Sequence, residues 1–92
     1  MNQNRVHIFV EGKVQGVFFR QSTRVIAIKN NVTGWVKNLE DGRVEIMLEG
    51  KDEDVHRVTE WCKIGPANSR VDEIQINQEQ YIGEHESFEV TY

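Results

Sequence analysis

The chain reads as an α+β domain in which two β-α-β halves build one sheet that carries both helices on the same face. Three observations predict this. Apolar residues alternate with polar ones at Val6, Ile8 and Val10, at Val44, Ile46 and Leu48, and at Phe88, Val90 and Tyr92, the two-residue period of strands with one buried face. Between these runs, Val25, Ile26 and Ile28, and later Val55, Val58 and Cys62, fall at helical spacing. The resulting order is βαββαβ plus a short terminal strand. Right-handed crossovers then put both helices on one side of a single antiparallel sheet.

The first strand covers residues 5–11, with Val6, Ile8 and Val10 on the core side. Residues 12–20 form the connection to the first helix, which the spacing predicts over 21–30. A strand-to-helix connection is a natural anion site, because helix N-termini hold backbone N–H groups without intrahelical partners and a partial positive charge. Gly12 and Gly16 give this loop backbone freedom, and Arg20 adds a planar fork of donors matched to two oxygens of a phosphate or carboxylate. Asn30 and Asn31 end the helix, since Asn tolerates left-handed torsions, and Val32 packs back onto it.

Residues 33–39 form the second strand, Glu40-Asp41-Gly42 supplies a turn, and the run at Val44, Ile46 and Leu48 completes a hairpin. Asp52, Glu53 and Asp54 place acid at the positive end of the second helix, which Gly65-Pro66 stops. Val71, Ile74 and Ile76 belong to the fourth strand, where a one-residue slip in spacing predicts a bulge. Residues 77–87 read as polar loop before the last strand.

Ninety-two residues with 38% hydrophobic and 28% charged side chains fit one domain over residues 1–92 with a single two-layer core. Cys62 is the only cysteine, so no internal disulfide forms, and its place on an apolar stripe assigns it to packing. Residues 1–51 hold eight Lys and Arg against five Asp and Glu, while residues 52–92 hold three against ten. A positive first half within a chain of net charge −4 suits a small anionic substrate and disfavours nucleic acid. The polar start, residues 1–5, lacks the apolar core of a secretion signal, and no apolar run is long enough to span a bilayer. The expectation is a cytoplasmic monomer with no membrane partner. His7, His56 and His85 have no second ligand at metal spacing, and Trp35 and Trp61 read as packing aromatics.

Gly12-Lys13-Val14-Gln15-Gly16-Val17-Phe18-Phe19-Arg20 matches the pattern G-x-V-Q-G-V-x-F-R, and Gly34-Trp35-Val36-Lys37-Asn38, continued by Asp41-Gly42-Arg43-Val44, matches G-aromatic-x-K-N-x-x-x-G-x-V. In both, without gaps, the chain closely resembles the acylphosphatase family. Trp61, Gly65-Pro66 and Val71 extend the likeness over essentially the whole chain. The resemblance implies a ferredoxin-like α/β sandwich. In that fold the first two strands run parallel and end on one rim, so the loop and Asn38 would meet at one anion.

It also implies hydrolysis of small acyl phosphates, with Arg20 and Asn38 as the catalytic pair. An acyl phosphate releases a carboxylate, which departs without protonation, so positioning and electrostatics suffice. The backbone amides of Gln15, Gly16, Val17, Phe18, Phe19 and Arg20, with the Arg20 side-chain fork, are the expected phosphate cradle, and Asn38 the group that orients water. Apart from the turn acids Glu40 and Asp41, neither motif contains a carboxylate pair, and neither holds a Ser-His arrangement or a metal cluster, so no metal and no cofactor are expected. Lys13 precedes the second Gly, unlike the lysine of a nucleotide-binding loop. Phe18, at the variable position, would pack under the loop or crowd its entrance. Two alternatives stand beside the hydrolase. One is an RNA-binding sheet, for which the central strands offer little beyond Phe9. The other is an acylphosphatase-like module that binds acyl or carbamoyl phosphate for a partner enzyme, against which the isolated length of the chain argues.

Overall fold

Each alternating segment has one face to bury, and the strands meet that need by sharing one sheet. The computed structural model describes residues 2–92. Its elements are β1 (Gln3–Lys13), α1 (Phe19–Lys29), β2 (Thr33–Asn38), β3 (Val44–Lys51), α2 (Asp52–Cys62), β4 (Arg70–Glu79) and β5 (Phe88–Thr91). The strands lie in the order β4-β1-β3-β2-β5. β1 pairs antiparallel with β3 and β4, and β2 antiparallel with β3, so β1 and β2 run the same way on either side of β3. β5 adds to the outer edge of β2 in parallel, which makes the otherwise antiparallel sheet mixed there.

Val6, Ile8 and Val10, together with Val36, Val44, Ile46 and Leu48, face the helices and are buried, as the alternation predicts. α2 closes on them with Val55, Val58 and Cys62. α1 does not use the stripe expected for it. Val25 and Ile28 are 60% and 51% exposed, while Phe19, Thr23 and Ala27 are buried and Ile26 is half-buried. The helix begins at Phe19, and that large side chain sets the inward face at four-residue steps, with Val25 and Ile28 carried round to the far side. Small residues at 23 and 27 let α1 lie close to the sheet, and the Thr23 hydroxyl donates to the Phe19 carbonyl at 2.8 Å.

The end of α1 follows the expected chemistry. Asn31 is left-handed (φ 60°), and the amides of Asn31 and Val32 reach back to the carbonyls of Ile28 and Ala27 at 3.1 and 2.9 Å, with Val32 buried. β4 runs on through Glu79, so residues 77–79 are strand and not loop. β1 supplies their partners, His7 opposite Asn77 and Arg5 opposite Glu79. The β1–β4 register shifts between Glu11 and Gly12, where β4 passes from Glu73 to Val71 and leaves Asp72 as the extra residue. Gly12 is required there: at φ 137° a Cβ would lie 2.2 Å from the Arg70 carbonyl oxygen.

On the sheet's other face, Glu49 is 1% exposed and accepts from the amides of Ile82, Gly83 and Glu84 at 3.1, 2.9 and 3.1 Å. Arg5 lies 3.2 Å from Glu49 and 2.8 Å from both Glu79 and Glu84. Burial pushes the Glu49 carboxyl up, but the Ile82 and Gly83 amides and the Arg5 guanidinium outweigh it and hold the group below the usual glutamate range. The clamp fixes residues 82–84 just before β5 and so helps deliver the end of the chain to the rim beside β2.

Candidate active site

Because β1 and β2 share a direction, their C-terminal ends lie on one rim, with the 14–18 loop over it and the N-terminus of α1 above. A cavity of about 240 Å³ opens at this junction. Val14, Gly16 and Phe18 of the loop line it, with Phe19, Arg20 and Gln21 of the first turn of α1, Asn38 at the end of β2, and Val90 and Tyr92 at the end of the chain.

The loop turns through two left-handed residues, Gly16 (φ 73°) and Phe18 (φ 64°). Glycine adopts that conformation freely; in phenylalanine it costs roughly 1 kcal/mol or more. Among the described residues, no backbone carbonyl accepts from the amides of Gln15, Gly16, Val17 or Phe18. The first helical bond of α1 runs from the Ser22 amide to the Phe18 carbonyl at 3.0 Å, so the amides of Phe19, Arg20 and Gln21 precede the helical ladder. Phe18, at the cap position, offers no side-chain acceptor, and the first turn contains no acid. The rim therefore carries a run of unpaired donors at the positive end of a helix, the electrostatic requirement for holding an anion.

Among the described residues, Arg20 is the only charged side chain lining the cavity. None of the ion pairs among the described residues involves it. Its Nη1 donates to the Thr91 carbonyl at 3.4 Å, and its guanidinium lies 4.6 Å from the centre of the Tyr92 ring. Asn38 reaches the same cavity from β2, and its Oδ1 is buried with no hydrogen-bond donor among the described residues. An unpaired buried acceptor is costly and uncommon, and beside a cavity it is matched to a bound donor such as water.

Of the residues expected in the cradle, Gly16, Phe18, Phe19 and Arg20 line the cavity, while Gln15 and Val17 do not. Val17 is buried in the core. The Gln15 side chain turns toward the hairpin, where Nε2 donates to the carbonyls of Leu39 at 2.8 Å and Arg43 at 3.0 Å and ties the loop to the β2–β3 turn. Phe18 is 78% exposed and stands at the entrance, not beneath the loop, while the Phe19 ring is buried 5.5 Å from that of Trp61. Sequence reasoning did not assign Gln21, Val90, Thr91 or Tyr92 to the site. Alternation marked Val90 and Tyr92 only as strand residues, and it is the parallel pairing of β5 with β2 that brings them to Arg20.

Residues 6–90 match the family model described as Acylphosphatase. The chain belongs to the acylphosphatase family. It is 48% identical to the acylphosphatase of Pyrobaculum aerophilum over 98% of its own chain and 96% of that relative. It superposes on the crystal structure of acylphosphatase from Bacillus subtilis with a TM-score of 0.92 and 37% identity, covering 97% of this chain and 99% of that one. The fold also recurs in full-length HypF, with a TM-score of 0.85 and 29% identity, where it covers 99% of this chain and 12% of that one. The ferredoxin-like α+β architecture is therefore as the sequence predicts. The chain is an enzyme that hydrolyses acyl phosphates. Among its described residues no helix is long and apolar enough to cross a membrane, and no group of three or more His, Cys, Asp or Glu is gathered for a metal ion.

Proposed function

We propose that this hydrolase holds the phosphoryl group of an acyl phosphate between the loop amides and Arg20, and that Asn38 orients the attacking water. What carries the reading is the meeting, in one cavity, of an arginine with no carboxylate partner and an asparagine oxygen with no donor among the described residues. The Arg20 fork and the amides around the start of α1 bind the phosphoryl oxygens and stabilise the charge that builds on them in the transition state. The Asn38 oxygen accepts one proton of the water and aims its lone pair at phosphorus, opposite the acyl oxygen. The new P–O bond forms as the bond to the acyl oxygen breaks, and the carboxylate leaves with the electron pair. An amide is too weak a base to take the proton, which passes to a phosphate oxygen. Gln15 acts on the loop from outside the cavity, and Val17 anchors it in the core.

The test is the pair Asn38→Ala and Arg20→Lys, assayed for hydrolysis of benzoyl phosphate and for inhibition by inorganic phosphate. Loss of one preoriented polar group predicts a fall in kcat for Asn38→Ala of about 10²-fold or more, with a much smaller change in phosphate inhibition. Arg20→Lys keeps the charge but loses the two-oxygen fork, and weakens both phosphate affinity and turnover. A folded Asn38→Ala variant that retains wild-type kcat would remove Asn38 from the mechanism. Unchanged phosphate affinity in Arg20→Lys would do the same for the clamp.

A further inference from the structure

We infer that the apolar groove between α1 and the C-terminal end of α2 is the acyl-group subsite, and that it directs this enzyme toward acyl phosphates with medium-chain or aromatic acyl groups. The inference rests on the phosphate site proposed above and names what lies on the other side of the scissile bond. The groove has a volume of about 370 Å³ and is lined by Gln21, Ser22, Val25, Ile26, Trp61 and Pro66. Among the described residues, no charged side chain lines it. Its exposed apolar wall includes Val25, one of the residues that the inward face of α1 leaves out.

Two features join the groove to the phosphate cavity. Gln21 lines both, so the two depressions border one residue at the first turn of α1. Phe19 lines the phosphate cavity, and its ring packs 5.5 Å from that of Trp61, which walls the groove. Val25 follows Gln21 by one helical turn, a rise of about 6 Å along the axis. A substrate anchored at Arg20 is an anion with an apolar tail. The surface next to Arg20 is polar at the phosphate end and apolar one turn further on. Acetyl phosphate ends before the turn, whereas hexanoyl, octanoyl or benzoyl groups extend toward Val25 and Trp61. Phe18, exposed at the entrance, stands where it can flank the acyl group as it leaves the cradle.

Full burial of a methylene corresponds to roughly a threefold to fourfold gain in binding, and an open groove delivers less. The expected result for the wild-type enzyme is a rise in kcat/KM of about twofold per methylene from butanoyl to octanoyl phosphate, carried by KM, with inorganic phosphate competing equally against every substrate. In Val25→Ser, a surface change that leaves the core intact, the ratio of kcat/KM for octanoyl phosphate to that for acetyl phosphate falls by about fivefold or more. Gln21→Glu, which sets a carboxylate on the path, lowers the same ratio. A flat chain-length profile with phosphate competition intact overturns the groove and leaves the phosphate site standing. A rising profile that Val25→Ser does not alter also overturns it. Failure of inorganic phosphate to compete with acetyl phosphate overturns the phosphate site, and with it this inference.

Discussion

Gln15→Ala removes the latch between the 14–18 loop and the β2–β3 hairpin without touching the cavity wall. The wild-type amide donates to two carbonyls, Leu39 at 2.8 Å and Arg43 at 3.0 Å. Neither carbonyl is orphaned by the change: Leu39 still accepts from the Gly42 amide at 3.2 Å, and Arg43 from the Leu39 amide at 2.8 Å. The loss is therefore that of two ordinary hydrogen bonds without a further desolvation penalty, about 1–2 kcal/mol in total. For a domain of this size that lowers Tm by about 5–15 °C. If the latch holds the loop in its binding shape, phosphate must re-order a loosened loop at the expense of the same free energy. The inhibition constant for inorganic phosphate then rises by about 5- to 30-fold. The assay is phosphate inhibition of benzoyl phosphate hydrolysis, with thermal melts with and without saturating phosphate on one preparation. A variant whose Tm drops as expected but whose phosphate inhibition stays within about twofold of wild type would refute the latch, because the loop would then hold its shape without Gln15.

Three further outcomes follow from the contacts described. Tyr92→Ala removes the ring under Arg20, and for an aromatic as exposed as this one the loss is about 0.5–1 kcal/mol, a two- to fivefold weakening of phosphate inhibition with little change in Tm. Because the folded Glu49 carboxyl lies below its ordinary value, its stabilisation is complete above the ordinary glutamate range and is lost as pH falls through the depressed value. Hydrogen-exchange protection, measured against the intrinsic rate at each pH, should fall at Ile82, Gly83 and Glu84 on that acid limb, and Glu49→Gln should cost about 2–3 kcal/mol near neutral pH and flatten the limb. Burial pushes the Cys62 thiol up to about 12, so a thiol reagent should modify it only on unfolding, and rapid labelling of the native protein would show the α2 packing to be wrong.

Much of the fold was written locally. The period of two at Val6, Ile8 and Val10 and the acids at the start of α2 act over a few residues, and the structure keeps them. The slip at Val71 and Ile74 became a bulge at Asp72, opposite a glycine that alone fits there. The two motifs also identified the loop and Asn38 as the residues to bring together. Other outcomes depended on partners far along the chain. Helical spacing cannot choose between faces when apolar residues lie on both, and it was the bulk of Phe19 against Trp61 and the sheet that turned Val25 and Ile28 outward. Gln15 stands inside the first of the two motifs, yet its side-chain amide is used by carbonyls 24 and 28 residues away. Arg20 and Thr91 are 71 residues apart, and nothing local to either announces their contact. Strand propensity made β5, but the unpaired edge of β2 and the clamp at Glu49 decided where it docked, because backbone pairing and burial are settled by whichever surface the rest of the chain leaves open.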